Sequence, residues 1–126
     1  MLLNDYLAAL QVILARAPFV TATSLSYEER PPSAALIKGS LLFTDGSQLD
    51  FKEFLVTQPT LQVIKYAYNF RKGDECIFRY DNANDPAARN LKTFPSHKHI
   101  FSSILMAEKP SLEKVVQEIV SQLKVL

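Results

Sequence analysis

The chain has 126 residues, 48% of them hydrophobic and 21% charged, with a formal net charge of +1. That length holds one core but not two domains, and the composition excludes a disordered chain. The total charge by itself argues neither for nor against nucleic acid, but it is uneven. Residues 1–61 hold four Lys/Arg against six Asp/Glu and residues 62–99 seven against four, a bias well short of the basic patch of a dedicated DNA binder.

The N-terminal residues predict a helix, with Asn4 as cap, Asp5 in the first turn, and Leu7, Leu10, Leu14 and Ala17 on one face. Asp5 and the absence of an early Lys/Arg cluster argue against a secretory signal. No stretch approaches the roughly 20 apolar residues of a membrane span. Cys76 is the only cysteine, so no internal disulfide can form. These features predict a cytoplasmic protein with no membrane partner, and Cys76 reads as a small buried hydrophobe in a strand.

Pro18 stops the helix, and beyond it the apolar period falls to two. Thr21–Glu29 predicts a strand that breaks at Pro31-Pro32. Ala35–Thr44 and Gln48–Leu55 flank Asp45-Gly46, the signature of a two-residue type I′ hairpin. Gln62–Arg71 and Glu75–Asn82 flank Gly73-Asp74, where Gly in first place suits type II′. From Ala83 to Ser96 the chain is polar and aperiodic, and loops of that length are often functional. Ile100–Met106 fits a short strand or a helix equally well. Ser111 caps a last helix with the apolar stripe Leu112, Val115, Val116, Ile119, Leu123 and Leu126. The expected fold is one α+β domain over residues 1–126. Its antiparallel β-meander has about five strands, and the N-terminal and C-terminal helices cover one face.

Several side chains depart from a plain sheet. Glu53 shares the parity of Leu49 and Phe51, and a two-residue turn sets Lys38 opposite it. It reads either as a cross-strand ion pair or as a site carboxylate. In the second hairpin, a two-residue turn pairs Tyr68 with Arg79 and Tyr66 with Asp81. A three-residue turn pairs Ala67 with Arg79 and Lys65 with Asp81. Both registers gather polar groups at the end away from the turn, where Arg79 and Asp81 also admit a simple ion pair.

Both histidines of the chain stand in His97-Lys98-His99. In an extended segment that spacing turns both imidazoles to one side. The pair suits general acid–base work on a phosphodiester, one ring taking a proton from the attacking hydroxyl and the other giving one to the leaving oxygen. Lys98 or Arg79 would then stabilise the phosphate. It equally suits metal binding if Asp81 or Glu53 adds a ligand, or a plain surface contact.

The stretch Phe78-Arg79-Tyr80-Asp81-Asn82-Ala83, the loop after it and Thr93-Phe94-Pro95-Ser96-His97-Lys98-His99 resemble the TumE family of bacterial toxins. The strand Tyr66–Phe70 and the helix after Pro110 extend the resemblance over most of the chain. Ser96 departs from it, since the family often carries a histidine there. The resemblance implies a growth-inhibiting toxin of a type II toxin–antitoxin pair, neutralised by a cognate antitoxin protein, with an architecture similar to RelE-like ribonuclease toxins. The resulting expectation is a small metal-independent endoribonuclease with no cofactor. Its catalytic residues would be His97, His99, Arg79 and Asp81. Lys98, Tyr66, Tyr68, Tyr80, Asn82 and Glu53 would contact RNA, the tyrosines by stacking on bases. A second copy of the chain is a further candidate partner. The competing expectations are a metal-dependent nuclease using Asp81 with both histidines, and a non-catalytic module that binds nucleic acid or protein.

Overall fold

The structure, a computed structural model, describes residues 1–124. Helix α1 (Leu3–Arg16) is followed by strands β1 (Val20–Arg30), β2 (Ala34–Phe43), β3 (Ser47–Val56), β4 (Gln62–Lys72) and β5 (Glu75–Asp81). The loop after β5 contains one 3-10 turn (Pro86–Ala88), and β6 (His97–Ile100), β7 (Ser103–Met106) and helix α2 (Leu112–Lys124) complete the order. All strands join one antiparallel sheet in sequence order, β1 to β7. The expected α+β meander flanked by terminal helices is present, with seven strands where about five were expected.

Of the two additional strands, β7 and the last residue of β6, Ile100, come from the segment that fits a strand or a helix, whereas His97–His99 precede it. Their connection is Phe101-Ser102, with Phe101 at φ 53°. A hairpin turn without glycine or asparagine carries no turn signature, so the sequence hides it.

Both helices lie on one face of the sheet, because their apolar stripes and the inward parity of the strands meet there. Leu7, Leu10 and Leu14 of α1, and Leu112, Val115, Val116 and Ile119 of α2, pack with Ile37, Leu41, Leu49, Leu55, Phe70 and Phe78. Each fully buried side chain of this size contributes about 1.5–3 kcal/mol. The Ser111 hydroxyl accepts the Lys114 N–H at 3.1 Å, as its capping role requires. Asn4 stands inside the first turn of α1 instead, and Leu2 takes the cap position without a side-chain bond. Leu126, the last member of the expected α2 stripe, lies outside the described residues.

Both hairpin registers differ from expectation by one residue. The β2–β3 loop is Thr44-Asp45-Gly46, three residues long, so Ile37 pairs with Glu53 and Lys38 with Lys52. Asp45 Oδ1 accepts the Ser47 N–H at 2.9 Å and Gly46 alone takes positive φ, at 85°. That is the geometry of a turn closed by a left-handed residue, not of type I′. The predicted Lys38–Glu53 pair is therefore absent.

At the β4–β5 tip the two-residue turn is present, Lys72 opposite Glu75, with Gly73 at φ 59°. A bulge at Ile77 then shifts the pairing: Phe70 faces Phe78, Asn69 faces Arg79, Tyr68 faces Tyr80 and Ala67 faces Asp81. Neither register weighed from the sequence sets the partners of Arg79 and Asp81. Cys76, expected to be buried, is exposed next to the bulge, and its Sγ lies 3.3 Å from Asn69 Oδ1.

Candidate active site on the open sheet face

The bulge at Ile77 decides which side chains share a face. Tyr68, Phe70, Phe78 and Tyr80 turn toward the helices, whereas Arg79 and Asp81 turn to the face the helices leave open. Strand β6 pairs with β5 so that His97 stands opposite Asp81 and His99 opposite Arg79. The spacing of two in His97-Lys98-His99 puts both rings on that same open face, with centroids 4.7 Å apart in edge contact. Two stretches of backbone separated by the long loop thus place a guanidinium, a carboxylate and two imidazoles together.

Asp81 is the centre of the group, and only 5% of its side chain is exposed. Its Oδ2 accepts from Arg79 Nε at 2.8 Å, and its Oδ1 accepts the Ala83 N–H at 2.9 Å. His99 Nε2 lies 3.8 Å from Oδ2 and 3.9 Å from Asp85 Oδ2. His97 is fully enclosed, its side chain 0% exposed. Its Nδ1–H donates to the Pro95 carbonyl at 2.7 Å, which directs Nε2 toward Asp81 Oδ1, 3.1 Å away. The angle is wrong for a hydrogen bond, and Nε2 has no partner.

The residues 83–96 form the roof over His97. Asp85 accepts the Ala87 N–H to start the 3-10 turn, and Ala88 is completely buried. Thr93 donates to the Ser96 carbonyl at 2.7 Å and accepts the Ala107 N–H at 3.1 Å, fastening the loop to the strand end after β7. Tyr66 reaches this region, donating from its hydroxyl to Ser96 Oγ at 2.9 Å. Burial is the main cause that pushes its phenol up, opposed by that bond. Asn82 bonds the backbone of Ile64 and Tyr66, so it joins β5 to β4.

A groove of about 870 Å3 lies on the open face, with Arg79 and Asp81 among the residues that line it. Arg30, Lys52 and Lys65 line it, with Phe54 and Phe94 as its apolar wall. Arg79 keeps 43% of its side chain exposed and His99 29%, so both are accessible beside the buried Asp81 and His97.

Five residues expected at the site lie on the opposite face, among them Tyr66, which pairs with Glu53 and whose ring centre lies 5.5 Å from that of Tyr68. Lys98 points under α2, where its Nζ donates to Glu118 Oε2 at 2.7 Å and sits 4.7 Å from the Tyr80 ring centre. Tyr80 donates to Glu118 Oε1 at 2.7 Å. Burial draws the Lys98 pKa down, but the bonds to Glu118 and Tyr80 and the charges of both together outweigh it and the net shift is upward, so the ammonium stays charged. Glu53 and Tyr68 lie beneath α1. The Glu53 carboxylate accepts from the hydroxyls of Tyr6 and Tyr68, and burial followed by that carboxylate raises both phenols far above their usual range. Alternation along β5 and β6 explains the separation: residues next to a site residue in a strand face away from it. Glu53 also lies too far from the imidazoles' face to be their third ligand.

A family model described as Toxin TumE matches residues 9–124. The chain belongs to the TumE family. Neither a curated protein nor a solved structure matches it. The TumE match covers β5, the loop after it and β6, the segments that build the centre. Sequence reasoning missed Asp85, Lys52 and Lys65 in this TumE-family chain. The lysines were legible in principle, because Lys52 and Lys65 have the parity opposite to the buried Phe51 and Tyr66. Asp85 carried no such signal, since loop residues follow no period. Among the described residues no helix is long and apolar enough to cross a membrane.

Proposed function

We propose that this toxin-family chain arrests growth by cleaving RNA at the Arg79–Asp81–His97–His99 centre, under restraint by a cognate antitoxin protein. The observation that carries the reading is the convergence of these four side chains, two of which, Arg79 and Asp81, line a groove that also bears Arg30, Lys52 and Lys65. A phosphodiester backbone follows the groove past Lys52 and Lys65, and Arg79 meets a phosphate. Asp81 holds the Arg79 Nε, which leaves the remaining guanidinium N–H groups for phosphate oxygens.

The two imidazoles do not share the work equally, because a proton shuttle must touch the reacting oxygens. His99 is accessible and takes the proton of the attacking hydroxyl, while solvent water supplies the proton that the leaving oxygen needs. His97 is sealed beneath the loop and acts through Asp81. This replaces the symmetrical pair expected from the spacing alone.

Purified protein freed of any partner, incubated with end-labelled RNA, tests the reading. Wild type should cut; His99→Ala should lose about 10²–10⁴-fold in rate, and Arg79→Ala about 10²–10³-fold. Intact RNA at high protein concentration overturns the proposal. If that intact RNA is nonetheless retained by the protein, the non-catalytic binding module is the correct reading.

A further inference from the structure

The unpartnered Nε2 of His97 requires an explanation. Its Nδ1–H is committed to the Pro95 carbonyl, so the neutral ring presents a lone pair at Nε2. That lone pair faces another acceptor, Asp81 Oδ1, at 3.1 Å, inside a water-excluded pocket. Two acceptors so close repel each other unless a positive species lies between them. A proton is one such species, but it needs the N–H directed at the carboxylate, and the angle fails that requirement. A metal ion accepts off-axis donors, because each ligand needs only to point at the ion and not at the other ligand.

His99 supplies the third donor. Asp81, His97 and His99 each offer one ligand atom, and these atoms lie within 4.8 Å of one another. With bonds of about 2.0–2.2 Å to nitrogen and oxygen, ligand atoms on one ion stand about 3–3.5 Å apart. His97 Nε2 lies 3.1 Å from Oδ1 and His99 Nε2 3.8 Å from Oδ2 of the carboxylate, so closing the set on one ion takes a turn of the accessible His99 ring. The outer bonds match those found around metal ligands: a backbone carbonyl fixes the His97 tautomer, and Arg79 and the Ala83 N–H hold the carboxylate.

We propose that Asp81, His97 and His99 form a binding site for a divalent transition-metal ion. Two imidazoles and one carboxylate favour zinc, manganese, iron, cobalt or nickel over magnesium and calcium, which prefer oxygen-only shells. Three protein ligands leave positions open toward the groove for water or a phosphate oxygen. The inference rests on the ribonuclease reading of the same centre and alters one role in it: with its Nε2 on the ion, His99 would hold the metal, and a metal-bound water would take the proton of the attacking hydroxyl in its place.

The test uses the full chain, stripped with a chelator and dialysed, then titrated with Zn²⁺ by calorimetry and with Co²⁺ by visible absorption. One ion per chain should bind with micromolar or tighter affinity, about −8 kcal/mol at 1 μM. His99→Ala and Asp81→Asn should each weaken it at least tenfold, and Co²⁺ should lose its ligand-field bands. Both residues keep the His97–Pro95 bond, so these variants are informative even where His97→Ala fails to fold. Cys76→Ser serves as the control for the exposed thiol and should leave binding unchanged. Absence of binding, or binding abolished by Cys76→Ser and retained by His99→Ala, overturns the proposal. RNA cleavage measured on the same preparations separates the two readings. Metal binding without cleavage upholds the site and sinks the ribonuclease, whereas full cleavage by the stripped protein upholds the ribonuclease and sinks the metal.

Discussion

Two buried carboxylates illustrate how differently one kind of residue is used in this chain. Glu53 is 1% exposed and satisfied, held by the hydroxyls of Tyr6 and Tyr68 with the Lys109 ammonium 5.6 Å from the Tyr68 ring centre. Asp81 is nearly as buried but faces an imidazole nitrogen without a partner. Satisfied groups stabilise a fold, and unsatisfied ones mark a site. Removing one donor from Glu53 by Tyr68→Phe should therefore cost about 1.5–3 kcal/mol, the range for a hydrogen bond to a charged group, read as a lowered urea midpoint with unchanged slope. No change in midpoint would show that Glu53 is not held as described. The His97/His99 parity was legible in the sequence, because period two is a property of any strand. The same period sets Lys98 and Tyr80, each between two site residues, on the other face, so their place was legible too. Whether Glu53 and Tyr68 shared the site depended on the hairpin registers, and the bulge shifts the one between β4 and β5.

At the scale of elements, α1, the first five strands and α2 could be read from periodicity and turn residues to within a residue or two. The registers could not. Each hairpin sequence allowed turns of different length, and one residue of difference reverses every side chain beyond it. The short β6–β7 hairpin was missed because its turn, Phe101-Ser102, uses a left-handed phenylalanine. Close packing between neighbouring strands was likewise invisible. Gly39 lies opposite Phe51, and a Cβ at that position would stand 2.2 Å from Phe51 Cζ. The ring, 3% exposed, has little room to retreat. Gly39→Ala should destabilise the protein by about 1–3 kcal/mol, the usual range for overpacking, although alanine is the better residue by intrinsic strand preference. Thermal unfolding showing equal or higher stability would mean that the ring moves freely.

Considered whole, the molecule has a covered face that holds it together and an open face that carries charge. The groove cations come from β1, β3, β4 and β5, four strands that each contribute outward-facing residues. No single segment is strongly basic, which is why the net charge of +1 gave little hint of this cation-lined groove. If single-stranded RNA lies along the groove, Lys52→Ala with Lys65→Ala should weaken binding uniformly across sequences. The slope of log affinity against log salt should become shallower by about 1.4, from roughly 0.7 per phosphate contact. An unchanged slope in filter-binding or anisotropy titrations would move the RNA elsewhere.

The surplus residue in β5 has a consequence for how such toxins can diverge. Ile77 lies between the hairpin tip and the centre, and pairing on either side of it is regular. A chain lacking that residue, or with a tip longer by one pair, would keep Asn69 beside Arg79 and Ala67 beside Asp81. An indel on the other side of Phe78 would instead swing the guanidinium and carboxylate beneath the helices. Length variation among relatives should accordingly gather at the tip, and the four residues from Phe78 to Asp81 should resist it.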